Sequence, residues 1–310
     1  MFKKNVVLFV LMIITQWCFA QQEAMFTHYM YNTLAVNPAY AGSRDALTIT
    51  ALHRSQWIGF PGAPQTQTVT LHAPLFKDAF NFGLSVVNDK IGPINTTGVF
   101  LDYAFRVKIT PKDKLAFGLK MGLNGYSFDL SQLKAIKSTD NLTSIKENSI
   151  LPNVGVGIYY YGEMFYAGLS TPKLFENNYN YFAEYSTLSI EKKHFYWIMG
   201  GLIPLNRALK LKPGFLVKLT QGAPIEGDAT LLFLFNDSYS LGAMFRSGDA
   251  LGVLLGIAVT EEFTVGYSYD WSFVNTTGLY NAGSHEVILR YDAKPKKRRK
   301  YTSMKNFCKF

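Results

Sequence analysis

Residues 96–109 read TTGVFLDYAFRVKI, and a large apolar side chain recurs there at every second position. Successive side chains of a β-strand point to opposite faces, so the pattern predicts a strand with one apolar face. In a strand that crosses a membrane, lysine or arginine facing lipid at the bilayer midplane costs about 2 to 4 kcal/mol. The charged face of such a strand must therefore point away from lipid. The predicted outward side chains are Val99, Leu101, Tyr103, Phe105, Val107 and Ile109, and the predicted inward ones are Phe100, Asp102, Ala104, Arg106 and Lys108.

The same period of two continues on both sides of this stretch. About 14 strand candidates fit between Ala46 and Asp292, and residues 263–271 alternate as clearly as residues 96–109. A soluble β-sandwich would also alternate, but it would carry charges on most outer faces, whereas the polar faces here are rich in Gly, Ser, Thr, Asn and Gln. The prediction is an all-β fold, a transmembrane outer-membrane β-barrel of about 14 antiparallel strands.

The spacing of the candidates predicts how the barrel is oriented. Short gaps follow the even-numbered candidates, and longer gaps follow most of the odd-numbered ones. Outer-membrane barrels carry short periplasmic turns and long external loops, so we expect both termini in the periplasm. Residues 129–151 and 172–193 would then be external loops.

Charge and composition divide the chain into four parts. Residues 1–20 resemble a signal peptide, with Lys3 and Lys4 before an apolar core and a cleavage site before Gln21. An N-terminal periplasmic or plug segment (21–45), the barrel (46–293) and a basic periplasmic tail (294–310) follow. The net charge of +9 comes from the two ends, because the rest of the chain carries 21 basic and 22 acidic residues. This distribution argues against nucleic acid as a partner, and the tail is either a solvated end or a docking element.

No motif for catalysis or for a cofactor stands out. The five histidines lack metal-ligand spacing, and there is no Gly-x-Ser-x-Gly motif. Ser284 and His285 would be the pair for a lipid hydrolase, but adjacent strand residues point to opposite faces. Cleavage of the signal peptide would leave Cys308 as the single cysteine, without a partner for an internal disulfide. We therefore expect a protein that is not an enzyme and that has no cofactor and no metal.

Residues 37–44, NPAYAGSR, break the alternating pattern. Pro38 removes a backbone donor and Gly42 favours a turn, so this stretch is not a regular strand. Two interpretations remain open: a turn that leads into the barrel, or a plug that enters the periplasmic mouth.

This stretch also carries a resemblance. Residues 29–32 (YMYN), 37–44 (NPAYAGSR), 54–60 (RSQWIGF) and 62–68 (GAPQTQT) closely resemble the PorP/SprF family of the type IX secretion and gliding machinery of Bacteroidota. Weaker similarity continues through residues 170–172, 267–270 and 285–291. The resemblance implies an outer-membrane barrel that helps to secrete or anchor surface proteins such as adhesins through their C-terminal sorting domains. It also implies contact with a periplasmic lipoprotein or with other type IX secretion components.

The candidate site residues follow from these blocks and from the loops. Those in the family blocks, interpreted as a structural or partner-contact cluster, are Asn37, Pro38, Tyr40, Gly42, Arg44, Arg54, Trp57 and Gly59. Arg54 is expected to pair with a carboxylate in the lumen, either Asp102 or Asp270. The candidate external contacts are Phe175, Tyr179, Tyr181 and Tyr185. The alternative function is an outer-membrane transporter or porin for small solutes, in which the N-terminal segment is a gate.

Overall fold

The computed structural model of the chain describes residues 23–75, 79–129, 146–179, 189–273 and 281–293. A short helix, α1 (Thr33–Val36), and a 3-10 turn (Pro38–Tyr40) precede the strands. The strands are β1 (Thr48–Ser55), β2 (Gln65–Leu75), β3 (Phe80–Ile91), β4 (Ile94–Lys108), β5 (Lys114–Asp129), β6 (Lys146–Tyr161), β7 (Phe165–Thr171), β8 (Asn178–Tyr179), β9 (Ser189–Ile190), β10 (His194–Gly201), β11 (Ile203–Pro204), β12 (Leu209–Thr220), β13 (Glu226–Phe235), β14 (Tyr239–Arg246), β15 (Ala250–Ala258), β16 (Phe263–Ser272) and β17 (Ser284–Asp292).

The strands close into a ring. Each long strand pairs antiparallel with its neighbours in sequence, β1 pairs with β17, and β10 pairs with both β7 and β12. The short strand β11 extends along β12, and β8 and β9 form a separate two-stranded sheet. The result is the predicted closed barrel of fourteen antiparallel strands.

The two faces of the strands differ as the alternation predicts. Leu101 is 63% exposed on the outside of β4, whereas Asp102 beside it is 1% exposed. Gly266, Ser268 and Asp270 of β16 are buried in the same way. Lys108, which was predicted to face inward, is exposed because it is the last residue of β4 and lies at the rim. The outward side chains form an apolar band suited to contact with lipid. No helix among the described residues is long and apolar enough to cross a bilayer.

The barrel has two distinct mouths. We call the end with the first residue of β1 and the last residue of β17 the terminal mouth; its turns include residues 109–113, 162–164, 236–238 and 259–262. The opposite end, the loop mouth, carries residues 56–64, 172–193, 221–225 and 273–283.

The predicted loop asymmetry holds with exceptions. At the loop mouth, β3 and β4 are joined by residues 92–93 alone, and β14 and β15 by residues 247–249. The connection predicted at residues 129–151 is shorter than expected, because β6 already begins at Lys146. The first four residues of β6, KENS (146–149), are all polar, so this part of the sequence has no apolar face by which a strand could be recognised.

The core lies inside the barrel. Its apolar members come from residues 25–41, before the first strand, and from the inward faces of the strands. Tyr29, Leu34, Ala39 and Tyr40 are almost completely buried there. Inward side chains of strands on opposite sides of the ring contact this segment, which places it in the lumen. We call residues 25–44 the lumen segment.

Candidate functional site

The lumen segment runs from one mouth of the barrel to the other. Glu23, just before it, contacts residues of the loop mouth, and Arg44, at its end, contacts the last residue of β17 at the terminal mouth. Residues 37–44 were predicted to form either a turn that leads into the barrel or a plug that enters the periplasmic mouth. The contacts of residues 25–44 extend along the whole lumen.

An ion-pair cluster ties the start of the segment to the loop mouth. Lys173 Nζ lies 2.6 Å from Glu23 Oε1 and 2.9 Å from Glu191 Oε1. Tyr126 donates to Glu191 Oε1 (3.2 Å). Burial raises the pKa of the Glu23 carboxyl, but the charge and hydrogen bond of Lys173 outweigh burial and leave that pKa below its usual value. We call Glu23, Lys173 and Glu191 the loop-mouth latch.

Arg54 organises a second cluster, deeper in the lumen. Its Nη1 donates to Asp270 Oδ2 (2.7 Å) and to Thr27 Oγ1 (2.9 Å), and lies 3.3 Å from Glu286 Oε2. Glu286 also accepts from the backbone N–H groups of Thr27 (2.9 Å) and His28 (2.7 Å). The lumen segment is thus fixed to β1, β16 and β17 by charge-assisted hydrogen bonds.

This geometry decides between the two carboxylates predicted for Arg54. Asp270 is the partner, while Asp102 lies 3.0 Å from Lys120 Nζ. The sequence analysis did not identify Glu286. Its sequence signals are its inward phase in β17, where it alternates with outward residues, and its place in the weakly similar stretch of residues 285–291.

The middle of the lumen segment lies directly against the wall. Asn37 Oδ1 accepts from the backbone N–H of Ala39 (3.0 Å), and Asn37 Nδ2 donates to the carbonyl of Ile158 (3.2 Å). Gly118 and Gly157 face this turn, and a Cβ at either position would overlap Ala39 or Asn37. The close approach of this turn to the wall, by backbone at Gly118 and by the Asn37 side chain at Gly157, therefore requires glycine.

Tyr40 belongs to an aromatic cluster in the same layer. Its ring meets those of His72 and Tyr159 edge-on, with centroids 5.3 and 5.4 Å apart. Together with Pro38, which begins the 3-10 turn, Tyr40 fills the lumen at this level.

Gly42 and Arg44 hold the end of the segment at the terminal mouth. Gly42 has a φ of 68°, donates from its N–H to His72 Nδ1 (3.1 Å) and accepts from Arg106 Nη1 (3.1 Å). Arg44 makes a two-pronged contact with Asp292, with both N···O distances 2.8 Å. Burial alone would lower the pKa of Arg44, but Asp292 raises it above the usual value, so the guanidinium stays charged.

Trp57 and Gly59 do not join these contacts. Both lie in the loop of residues 56–64, where the Trp57 N–H donates to Ser284 Oγ (3.2 Å) and Gly59 is exposed with a φ of 92°. The eight residues of the family blocks therefore form no single cluster. Six follow the lumen, and two lie at the loop mouth.

Of the predicted external contacts, only Phe175 has a described side chain. It is 49% exposed beside the loop-mouth latch. Tyr179 contributes backbone to β8, and nothing is described of its side chain. Tyr181 and Tyr185 lie outside the described residues, as do the predicted signal peptide and the basic tail.

Ser284 and His285 point to opposite faces, as the sequence predicts. Ser284 is buried toward the lumen, and His285 Nδ1 lies 2.7 Å from Tyr267 OH on the outer face. Within the described ranges, no group of His, Cys, Asp and Glu side chains is arranged to hold a metal ion.

A cavity of about 320 Å³ lies in the lumen beneath the loop mouth. Its wall is mostly apolar and aromatic, and the latch borders it. The residues that line it are Glu23, Ala24, Phe26, Ala35, Val36, Val87, Asp89, Ile91, Ile94, Thr96, Gly98, Phe100, Lys120, Asn124, Tyr126, Pro172, Lys173, Glu191 and Tyr196.

Comparison with known proteins adds a family match. The sequence profile described as "Type IX secretion system membrane protein PorP/SprF" matches residues 18–291. Among solved structures, the chain is similar to a Pseudomonas aeruginosa FadL homologue, with 13% identity, a TM-score of 0.46 and coverage of 83% of this chain and 92% of that one. It is also similar to the Acinetobacter baumannii outer membrane protein Omp33 (10% identity, TM-score 0.45, coverage 80% and 98%) and to a KdgM porin (8%, 0.38, 80% and 99%). No curated protein matches the chain.

Proposed function

Since the chain belongs to the PorP/SprF family of type IX secretion system membrane proteins, we propose that it is a non-enzymatic component that holds a secreted protein at the cell surface. The partner is a surface protein such as an adhesin, engaged through its C-terminal sorting domain. Membership in the family links the chain to the type IX secretion system, and the barrel fold agrees with a location in the outer membrane. The partner and the mode of contact are our proposal.

The observation that carries the proposal is the occupied lumen. The lumen segment is fixed at the loop mouth, at Arg54 and at the terminal mouth, and its apolar side chains are buried among those of the wall. A solute would have to displace these contacts to pass. The segment is therefore a plug in this proposal, and it favours a holding role over transport.

The loop mouth is the proposed contact surface. Phe175 is an exposed aromatic side chain there, and residues 172–193 form the longest connection between barrel strands. Exposed aromatic residues are frequent energetic anchors in protein interfaces. We place the secreted partner on this loop.

The opposite mouth suits periplasmic components. The N–H of Ala293, the residue before the basic tail, donates to the carbonyl of Leu47 (2.8 Å) at the terminal mouth. Ala293, the last described residue before the tail, therefore lies at this mouth. A periplasmic lipoprotein or another type IX secretion component is the partner we propose there.

Shortening the long loop tests the proposal. Residues 178–189 are replaced by a short Gly-Ser linker, which leaves Lys173 and Glu191 of the latch in place. We expect the secreted surface protein to move from the cell surface into the medium. Immunoblotting of the cell and medium fractions measures this change. The control replaces residues 221–225, at the same mouth, with Gly and Ser. Unchanged surface retention in the loop variant would contradict the proposal.

Planar-bilayer recording separates holding from transport. A barrel filled by the lumen segment is expected to pass little ion current. Steady discrete conductance steps from the unmodified protein would instead identify a transporter or porin.

A further inference from the structure

The cavity beneath the loop mouth has the make-up of a ligand site. Its volume of about 320 Å³ lies at the small end of the range of roughly 300 to 1,000 Å³ that is typical of ligand pockets. Aromatic rings of Phe26, Phe100, Tyr126 and Tyr196 form much of its wall. A pocket of this size accommodates one extended side chain rather than a folded segment.

One carboxylate in this cavity forms no ion pair. Glu23 and Glu191 pair with Lys173, and Lys120 pairs with Asp102. Asp89 instead accepts a hydrogen bond from Thr66 Oγ1 (2.6 Å), and no basic side chain in the described ranges forms an ion pair with it. A carboxylate in a mostly apolar pocket favours a cationic ligand, because pairing offsets the loss of hydration.

One hydrogen-bond donor is also without a partner. Asn124 is 1% exposed, and its Nδ2 makes no hydrogen bond although the residue lines the cavity. Leaving such a buried donor unsatisfied costs about 1 to 3 kcal/mol, so a ligand carbonyl that turns this amide toward the cavity would offset that cost.

The register of the wall sets the distance between the two residues. Asp89 lies opposite Thr96, and Asn124 lies opposite Gly98 on the other edge of β4. Asp89 and Asn124 are thus two strands and two residue positions apart. At about 4.8 Å per strand and about 3.4 Å per residue, their Cα atoms are separated by on the order of 12 Å. An arginine or lysine residue places its cationic head and its own backbone carbonyl at a comparable separation.

We propose that this cavity binds an arginine or lysine side chain, with the cationic head on Asp89 and the carbonyl or carboxylate oxygen of the same residue accepting a hydrogen bond from Asn124. The aromatic wall packs against the aliphatic stem and the cation. The source is either a free basic amino acid or a basic residue of a polypeptide at the loop mouth. The binding chemistry does not depend on the secretion role, so either can fail alone.

Direct binding to the full-length barrel in nonionic detergent tests the proposal. The probe is Nα-acetyl-arginine N-methylamide, measured by isothermal titration. The matched probe is Nα-acetyl-citrulline N-methylamide, which has nearly the same shape and no charge. We expect the citrulline probe to bind at least about tenfold more weakly, since a charged hydrogen bond is lost. Equal affinities of the unmodified protein for the two probes would overturn the proposal. No binding of the arginine probe at millimolar concentration would also overturn it.

Substitutions then locate the site. Asp89→Asn should weaken binding of the arginine probe at least about tenfold, and Asn124→Ala should weaken binding of both probes. Asp89→Glu should keep the preference for the arginine probe over the citrulline probe. Asp249→Asn is the control, because Asp249 lies in the 247–249 turn at the same mouth but not in the cavity wall. Unchanged affinity in a folded Asp89→Asn protein would also overturn the proposal. A pentapeptide with a central arginine, compared with free arginine, distinguishes the two sources.

Discussion

Arg54 shows at the residue scale how the barrel tolerates charge in its interior. Its side chain and those of Asp270 and Glu286 are at most 1% exposed. Such a cluster is stable only while the positive and the negative side chains are both present, because a buried charge without its partner keeps the full cost of lost hydration.

Arg54→Met therefore should destabilise the barrel by about 3 to 5 kcal/mol, the usual cost of breaking a buried ion pair from one side. The midpoint of urea unfolding in detergent, followed by tryptophan fluorescence, measures the change. Arg207→Met is the control, since Arg207 is exposed in the turn between β11 and β12. Equal midpoints for the two variants would show that the cluster does not stabilise the lumen.

The same residue shows how far the sequence reaches. Alternation predicts that Arg54 points inward and leaves Asp102 and Asp270 as candidate partners. It does not reveal that Arg54 lies opposite Glu286, because that neighbour depends on how the ends of the chain pair when the ring closes. Periodicity assigns a face to each residue, whereas contacts across the lumen depend on the three-dimensional closure.

At the scale of elements, strand prediction works where lipid imposes a pattern. Outward apolar residues of β4 and β16 follow the predicted alternation, and the ring has the predicted number of strands. The start of β6 has no such pattern, so the strand was predicted to begin several residues later than it does. The lumen segment is harder still, because its Pro38 and Gly42 exclude a strand without saying where the chain goes.

The loop-mouth latch should make the start of the lumen segment sensitive to pH. The pKa of Glu23 in the folded protein is below 4.5, so its stabilisation is present above pH 4.5 and is lost as the pH falls through the lower value. The pKa of Lys173 is raised above 10.5, so its contribution is present below that pH and is lost at still higher pH. His194, Lys218 and Asp89 are further titratable neighbours of Glu23.

Hydrogen exchange of residues 23–32 measures this effect, after correction for intrinsic exchange rates. Protection should be high at pH 7 and should fall in strongly acidic buffer. Glu23→Gln should already show the lower protection at pH 7, with little further change on acidification. Protection that falls equally in both proteins would assign the effect to another group.

At the scale of the whole molecule, the lumen segment links the two mouths. Residues near Glu23 lie at the loop mouth, and Asp292, close to the end of the barrel, lies at the terminal mouth. Which mouth faces the medium therefore decides which partners each end of the chain can reach.

Cysteine labelling determines this orientation. Short turns of outer-membrane barrels face the periplasm, so the terminal mouth is expected to do so here. In a Cys308→Ser background, Gln221→Cys at the loop mouth should react with a membrane-impermeant maleimide in intact cells. Arg207→Cys at the terminal mouth should react only after the outer membrane is permeabilised. Both positions are exposed in connections between strands, so they form a matched pair. The reverse pattern would place Phe175 and the long loop in the periplasm, and a secreted partner on the cell surface could not then be held by that loop.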